Sequence, residues 1–421
     1  MEESIRERAK PLESAADLDA LVARIGDARV VLLGEATHGT REFYVWRAAL
    51  TERLVEQRGF SLIAVEGDWP DCRAVDRYLA GEGSRAVDAL ASFRRWPTWM
   101  WANREVEDFV EWLRGWNEGH PRRSVRFLGL DVYSLWDSMA RVLRFLDARD
   151  PEAAKRARAS YACFDPHKGD EQAYAAWTRF APEGCEREVA AVLREVLAKR
   201  LAGDDAFDAE QNARVAANAE AYYRAMARND AESWNLRDEH MMATLARALA
   251  HAGPESKAVV WAHNTHVGDA RATDMAAQGM TNLGALARER WGPDATFVVG
   301  FGTHAGSVIA GRAWDAPMER MRVPPAQEGS WEARMHDALR GEDAWFAFRG
   351  RRFPDEWRAR RGHRAIGVVY RPDAERGNYV PTDLPARYDA FVFLDRTHAL
   401  SPLQVRVDDA GEPPETYPFG L

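Results

Sequence analysis

Five short apolar runs along the chain end in polar or glycine-containing turns, and helical patterns separate most of them. The runs lie in the segments ARVVLLGEATHG, FSLIAVEGDW, SVRFLGLDVY, KAVVWAHNTH and ATFVVGFGTHAG. Their length and β-branched content are typical of strands that are buried on both faces. Strands that alternate with helices predict a largely parallel sheet covered by helices. The later segments HRAIGVVY and DAFVFLD predict two further strands.

The stretch from about residue 136 to 250 contains no convincing strand pattern and is rich in Ala, Arg and Glu. It predicts a large all-helical insertion, in which NLRDEHMMATLARAL is expected to be a core helix capped by Asn235. We therefore expect an α/β fold with a mostly parallel β-sheet flanked by helices. Residues 1–421 would form a single domain, with the insertion at 136–250 within it. The alternative is that the helical part folds as a separate domain.

The composition narrows the class of protein. The chain has 421 residues, 46% hydrophobic and 29% charged, which is typical of a globular protein. Its net charge of −9 indicates neither a nucleic-acid nor an anionic-membrane partner. The N-terminal segment lacks the apolar core of a secretory signal, and no apolar run approaches the roughly 20 residues of a membrane span. Three widely spaced cysteines predict neither a disulfide framework nor a CxxC metal site. We expect a soluble cytoplasmic protein.

Ionisable residues follow each of the five predicted strands. These residues are Glu35 and His38, Glu66 and Asp68, Asp131, His263 and His266, and His304. The carboxyl ends of parallel strands meet at one edge of a sheet, where sites of α/β proteins form. Charged side chains are rarely buried without a partner, so this joint placement favours a functional site over a structural one. The argument is weaker for Asp131 and His304, because each stands alone at its strand end.

Two chemistries fit such a cluster. Histidines and carboxylates are ligands for Zn²⁺, which lowers the pKa of a bound water. Alternatively, a histidine oriented by a carboxylate acts as a general base without a metal. The sequence has no HExxH motif, and Arg47 is better suited to holding a glutamate than to lying beside a dication. We therefore expect neither a metal nor a cofactor. A metal-dependent hydrolase and a non-catalytic binder of a bulky apolar ligand stay open as alternatives.

The segments LGEATHGTREFYVWR, AVEGDW and VVWAHNTHVGD together resemble the erythromycin esterase family. WPTWMWANREVEDFVEWLRGWN, NLRDEHMMATL and RAIGVVYRP resemble its large erythromycin esterase-like subgroup, and the similarity runs from about residue 20 to residue 403. The resemblance implies a carboxylic ester hydrolase. Resistance enzymes of the family cleave the macrolactone ester of erythromycin-type macrolide antibiotics, with a histidine general base and no essential metal.

The resemblance also implies roles for individual residues. His38 takes the place of the base in the GExxHG loop. The surrounding catalytic residues would be Glu35, Arg47, Glu66, His263 and His266. A histidine suits the role of base because its ordinary pKa is near neutrality, and Glu35 would fix its tautomer. His263 or His266 would then stabilise the oxyanion.

The expected partner is a small molecule, a bulky ester or lactone. The chain has 16 tryptophans, and the segment RRWPTWMWANRE concentrates several of them. Trp99 and Trp101 are predicted to form an aromatic wall for the substrate, although such rings equally fill the space between a sheet and its helices. Asp131, Arg237 and His304 are the other predicted substrate-binding residues, and Asp238 is expected beside Arg237 at the edge of the cleft.

Overall fold

The computed structural model describes residues 1–403, except 168, 182, 201 and 229. The strands of the described part form a 9-stranded sheet and a separate 2-stranded sheet. The strands are β1 (Lys10–Pro11), β2 (Val30–Leu33), β3 (Leu62–Asp68), β4 (Arg126–Asp131), β5 (Ala258–Trp261), β6 (Thr296–Gly311), β7 (Met318–Val323), β8 (Ala344–Ala347), β9 (Arg361–Arg364), β10 (Tyr379–Thr382) and β11 (Ala390–Thr397).

The larger sheet has the order β1-β8-β11-β6-β2-β5-β3-β4, and β7 pairs with β6. All neighbours from β11 through β4 run parallel. The pairs of β8 with β11, β1 with β8 and β7 with β6 are antiparallel. The predicted α/β fold with a mostly parallel sheet is therefore confirmed.

Helices cover both faces of the sheet, which explains the uninterrupted apolar runs. In β2, Val31 and Leu33 join one apolar cluster while Val30 and Leu32 join the other, because successive side chains of a strand point to opposite faces. The α-helices are α1 (Glu2–Arg8), α2 (Asp19–Ile25), α3 (Arg41–Arg58), α4 (Trp69–Leu79), α5 (Ala86–Leu90), α6 (Arg104–Gly119), α7 (Leu135–Arg149), α8 (Pro151–Tyr161), α9 (Glu171–Thr178), α10 (Glu186–Ala198), α11 (Asp204–Met226), α12 (Asp230–Ala252), α13 (Asn264–Val267), α14 (Leu283–Ala295), α15 (Trp331–Leu339), α16 (Asp355–Arg358) and α17 (Leu384–Arg387).

The helices α7 to α12 lie between β4 and β5, and the described residues between these strands form no further strand. Side chains of α7 to α11 share an apolar cluster of their own, while α12 packs against α11 and also against β3 and β4. We propose that the insertion is part of one domain, because α12 packs against both the helical insertion and the sheet. Limited proteolysis that releases a stable helical fragment would contradict this proposal.

Two local predictions of secondary structure were wrong. The segment HRAIGVVY is not a strand of the large sheet: only its first two residues lie in β9, which pairs with β10, and Ile366 donates its backbone N–H to Ala36 in the loop after β2. Asn235 is not a cap, since α12 begins at Asp230. Its side-chain amide instead holds the backbone of Gly279 and Thr281. Contacts that are distant in sequence decided these cases.

The cysteines also depart from the prediction, because Cys163 and Cys185 form a disulfide. Their spacing gave no sign of pairing, since the packing of the helical insertion brings the two chain segments together. Cys72 is free and buried. In the described part of the chain, every helix is too short or too polar to cross a membrane. The cytoplasmic location stays a prediction.

Candidate active site

Four neighbouring parallel strands deliver polar side chains to one cavity of about 550 Å³. These side chains lie at or just beyond the carboxyl ends of β2, β3, β4 and β5. The helix α12 adds Arg237 to the same group. The predicted residues that line the cavity are His38, Glu66, Asp68, Trp101, Asp131, Arg237, His263 and His266. Glu35 contacts His38 directly, and Arg47 contacts Glu35.

Glu35 lies between a histidine and an arginine. One of its carboxylate oxygens is 2.8 Å from Nδ1 of His38, and the other accepts a 2.5 Å hydrogen bond from Arg47. The fully buried Arg47 guanidinium lies 4.4 Å from the ring centroid of Tyr44 and 4.7 Å from that of Trp261. Such desolvated cation–π contacts contribute up to about 2 kcal/mol. Arg47 therefore compensates the charge of Glu35 and fixes the orientation of the carboxylate towards His38.

Two glycines allow the loop that carries Glu35 and His38 to pack closely. A Cβ atom on Gly34 would lie 2.1 Å from the side-chain oxygen of Asn264, and one on Gly39 would lie 1.8 Å from the backbone oxygen of Ile309. Real side chains do not tolerate these separations. The glycines thus let the loop lie directly against α13 and β6, which places His38 beside the histidines of α13.

Glu66 is the centre of a second group of charges. Its Oε1 accepts a 2.7 Å hydrogen bond from Arg237, and its Oε2 accepts the backbone N–H of His263 at 2.8 Å. Arg237 also binds Asp131 through two hydrogen bonds, of 2.9 and 2.7 Å. Burial opposes the charge of Glu66, but its surroundings, which include the Arg237 guanidinium and the backbone N–H of His263, outweigh burial and hold the pKa of Glu66 well below its usual range. Glu66 is therefore an anion at neutral pH.

The two histidines of the HNTH turn have different surroundings. His263 caps α13: its Nδ1 accepts the backbone N–H of Thr265. Its Nε2 is buried and has no hydrogen-bond partner within the described residues. His266 has both ring nitrogens engaged, with Nδ1 2.9 Å from Asp238 and Nε2 3.0 Å from Arg237. Of these two histidines, His263 thus has the ring nitrogen that protein groups in the described part of the chain leave available to a ligand.

The electrostatic surroundings also separate His38 from His263, whose ring centroids are 4.9 Å apart. Burial disfavours the charged form of His38, but Glu66 and Glu35 outweigh burial and raise the pKa of His38 above its usual value. Burial and the neighbouring His38 instead place the pKa of His263 well below its usual value. His38 consequently accepts a proton readily, whereas His263 stays neutral.

The cavity has an apolar wall next to this polar group. Its aromatic, aliphatic and thioether side chains include Phe93, Trp96, Met100, Trp101, Trp234, Met275, Met280 and Val368. The Trp101 indole N–H donates to the backbone oxygen of Glu66 at 2.9 Å, so this ring is tied to the charged group. A pocket of this size and lining suits a bulky, largely apolar small molecule.

Two predicted substrate-binding residues lie elsewhere. Trp99 is buried against Trp96 and does not line the cavity, which agrees with the core-filling alternative for this ring. His304 was expected directly after a strand, but β6 continues to Gly311, so His304 lies within that strand. Its ring stacks on His336 at 3.8 Å between centroids. The structure does not bring Trp99 or His304 to the cavity.

Asp238 was expected beside Arg237 at the edge of the cleft, whereas sequence reasoning gave no site role to Trp234. Asp238 binds Nδ1 of His266, and Trp234 stacks on the same ring with centroids 4.6 Å apart. The signal for Arg237 and Asp238 was present in NLRDEH, where three charged residues are adjacent, but nothing in the sequence marked Trp234. The segment 365–381, interpreted in part as a strand, also lines the cavity.

Among residues 1–403 that the structure describes, no group of three or more His, Cys, Asp or Glu side chains is arranged to hold a metal ion. The arginine contacts give a physical reason for this arrangement, because guanidinium groups already bind the carboxylates around the cavity. Arg47 binds Glu35, while Arg237 binds both Glu66 and Asp131. A guanidinium in this position would repel a dication.

The fold and the cavity define an α/β protein with a histidine–carboxylate cluster at the carboxyl edge of a parallel sheet. The family model of erythromycin esterase matches residues 55–397. The chain therefore belongs to the erythromycin esterase family.

Curated relatives match shorter segments. Erythromycin esterase type II of Escherichia coli is 29% identical over 122 residues, which are 29% of this chain and 28% of that protein. The putative hydrolase YbfO of Bacillus subtilis is 28% identical over 157 residues, which are 36% of this chain and 33% of that protein. Each alignment thus spans a third or less of the relative's own length.

Solved structures match nearly the whole chain. A succinoglycan biosynthesis protein has a TM-score of 0.79 at 20% identity, covering 95% of this chain and 97% of that one. A Bacillus cereus protein has a TM-score of 0.80 at 19% identity, covering 96% and 98%. A mutant of erythromycin esterase EreC in its open conformation has a TM-score of 0.69 at 17% identity, covering 93% and 96%. At these identities the similarity shows the fold alone.

Proposed function

We propose that this protein is a hydrolase that cleaves a carboxylic ester by general-base activation of water at His38. Membership of the erythromycin esterase family supports ester hydrolysis. The macrolactone ester of a macrolide antibiotic is the candidate substrate, supported by the name of the Escherichia coli relative. The size and apolar wall of the cavity agree with a bulky ester or lactone.

The observation that carries the proposal is the pairing of His38. Its Nδ1 lies 2.8 Å from Glu35, which fits the tautomer with a proton on Nδ1 and a lone pair on Nε2. His38 lines the cavity, and its Nε2 lies 4.0 Å from Oε1 of Glu66. A histidine with one nitrogen fixed and the other free to accept a proton is suited to act as a general base.

The reaction then proceeds in two proton transfers. As a water oxygen bonds to the ester carbonyl carbon, one water proton moves to Nε2 of His38 and a tetrahedral intermediate forms. Glu35 and Glu66 stabilise the resulting imidazolium because both carboxylates lie beside the ring. When the carbon–oxygen bond to the leaving group breaks, the same proton passes from Nε2 to the departing alkoxide. The products are a carboxylic acid and an alcohol.

His263 is the best-placed donor to the developing oxyanion. Its Nδ1 accepts the N–H of Thr265, so the ring proton resides on the unpartnered Nε2. The ring stays neutral, because burial keeps its pKa low. A preorganised donor of this kind contributes about 3 to 4 kcal/mol to transition-state stabilisation. His266 is less suited, because Asp238 and Arg237 already occupy its two nitrogens.

The test is a hydrolysis screen with activated aryl esters and a macrolide panel, read by mass spectrometry for the gain of one water. His38→Ala serves as the matched control for background hydrolysis. Metal analysis and activity before and after chelation address the metal-dependent alternative: activity that is lost on chelation and restored by a metal would contradict the proposed mechanism. If no ester is hydrolysed while a macrolide still raises the melting temperature, the protein is a binder.

A further inference from the structure

Arg237 is a cavity residue whose donors are already engaged by protein groups. Its Nε and one terminal nitrogen bind Asp131 at 2.9 and 2.7 Å, and that same terminal nitrogen donates to Glu66 at 2.7 Å. The other terminal nitrogen is 3.0 Å from Nε2 of His266. The guanidinium also lies 4.8 Å from the ring centroid of Tyr133. This set of contacts indicates a role towards neighbouring side chains and not towards the substrate.

The contact with His266 selects the tautomer of that ring. An arginine nitrogen only donates, so Nε2 of His266 must accept and carry a lone pair. The ring proton then resides on Nδ1, where it is donated to Asp238 at 2.9 Å. Asp238 is fully buried and also accepts the backbone N–H of Leu283, so its orientation is fixed.

The contact with Glu66 connects Arg237 to the proposed base. Oε1 of Glu66 is 2.7 Å from Arg237 and 4.0 Å from Nε2 of His38. The guanidinium therefore offsets part of the negative charge that His38 experiences from Glu66. Asp131 acts in the opposite sense, because its carboxylate neutralises part of the charge of Arg237.

Several charged or titratable groups surround His38. Glu35 contacts His38 and Arg47 contacts Glu35. Asp238 reaches the group through His266. The others line the same cavity as His38, and they are Glu66, Asp68, Asp131, Arg237, His263 and His266. Burial and the charge of Arg237 favour the neutral form of His38, whereas Glu66 and Glu35 favour its charged form. Arg237 is thus the cation that counteracts the two glutamates.

We propose that Arg237, held by its two hydrogen bonds to Asp131, is a positioning residue that fixes the tautomer of His266 and limits the proton affinity of His38. This inference rests on the proposed role of His38 as a general base. It assigns opposite effects to the two partners of one ion pair. Loss of the cation makes His38 easier to protonate, whereas loss of the Asp131 charge makes it harder to protonate.

The kinetic test compares the acid limb of the kcat/KM profile in the wild type and four variants. Arg237→Gln should move that limb to higher pH by about one pH unit, because a nearby charge shifts a pKa by at least that much. Asp131→Asn should move the limb to lower pH. Arg237→Lys should leave the limb in place but lower kcat, because lysine keeps the positive charge and lacks the planar guanidinium that binds two partners at once.

The control is Arg126→Gln at the other end of β4. Arg126 makes a similar pair with Asp76, and Arg73 remains as a second partner of Asp76 in this variant. The control should leave the profile unchanged.

A titration by NMR of ¹⁵N-labelled histidine side chains in the full-length protein provides a readout that needs no turnover. The His38 ring should titrate at higher pH in Arg237→Gln and at lower pH in Asp131→Asn, and the ¹⁵N shifts of His266 should report a proton on Nδ1 in the wild type. Shifts in the same direction, or rates that fall equally at every pH with an unchanged His38 titration, would overturn the inference. A wild-type protein that hydrolyses no ester would contradict the proposed function alone, since the titration would still test the charge effect.

Discussion

The chain contains two buried histidine–glutamate pairs that resemble one another, but only one lies at the cavity. His38 is 2.8 Å from Glu35, and His363 is 2.5 Å from Glu332. Both rings are buried, and each glutamate accepts a second hydrogen bond from an arginine, through a side chain at Glu35 and a backbone N–H at Glu332. A histidine–carboxylate pair is therefore not sufficient to identify a base.

The second ring nitrogen distinguishes the pairs. Nε2 of His363 lies 3.2 Å from the hydroxyl of Tyr388 and 3.3 Å from the side-chain amide of Asn264, and His363 does not line the cavity. Nε2 of His38 instead lies 4.0 Å from Oε1 of Glu66, and the His38 ring lines the cavity. One ring is enclosed by protein groups, and the other is accessible to a substrate water.

The pKa shifts of the two rings have opposite directions. Burial lowers the pKa of His363 below its usual value in spite of Glu332. At His38 burial acts in the same direction, but Glu66 adds to Glu35 and the pKa rises. Glu66 beside His38, and the cations Arg387 and Arg364 beside His363, thus distinguish two otherwise similar pairs.

The largest expected effect is on His38. His38→Ala should lower kcat for ester hydrolysis by about a thousandfold, because general-base catalysis contributes on that order. Circular dichroism should show an intact fold. A variant that keeps more than about a tenth of the wild-type kcat, equivalent to under roughly 1.4 kcal/mol of barrier, would mean that another group is the base.

His263→Ala should have the next largest effect on catalysis. We expect kcat to fall by about a hundredfold with KM little changed, because a lost oxyanion donor affects mainly the transition state. Steady-state kinetics on an activated aryl ester separate the two parameters. A rise in KM at constant kcat would assign His263 to ground-state binding instead.

Glu66→Gln tests the second carboxylate directly. The neutral form of His38 is the active one, so activity rises with pH through the pKa of His38, which lies above 6.5 in the wild type. Removing the Glu66 charge should move this acid limb to lower pH while kcat at the plateau falls less than in His38→Ala. An acid limb that stays in place would show that Glu66 does not set the basicity of His38.

His363→Ala is the matched control for His38 and should reduce stability more than activity. It leaves the buried Glu332 without its partner, which costs about 3 kcal/mol for a buried pair. Chemical denaturation should show this loss, while kcat/KM stays within about tenfold of the wild type, allowing for the contact with Asn264. A loss of activity as large as that of His38→Ala would remove the distinction between the pairs.

The smallest effect is expected at His304. His304 lies within β6, and its ring stacks on His336 of α15 and does not line the cavity. His304→Ala should therefore leave kcat/KM within about twofold of the wild type. A KM increase of tenfold would restore the substrate role that the sequence predicted.

The sequence predicted the parts of the molecule that depend on local pattern. The runs that became β2, β3, β4, β5 and β11 were recognised because both faces of the sheet are covered. Their carboxyl ends were expected to meet at one edge, and in the structure Glu66, Asp131 and His263 do meet there.

What the sequence could not predict depends on contacts between distant segments. The extension of β6 to Gly311 is stabilised by pairing with β7, which moved His304 away from a strand end. The partners of Arg237 could not be predicted either, because Asp131 and Glu66 lie 106 and 171 residues away in sequence. No local spacing encodes such a contact.

The most direct test of the central claim compares two pKa values in the same protein. One is obtained from the acid limb of the kcat/KM profile, and the other from the NMR titration of the His38 ring, assigned with His38→Gln. We predict that the two values agree and lie above 6.5, the ordinary value for histidine. A His38 ring that titrates at a different pH from the kinetic limb would contradict the assignment of His38 as the base.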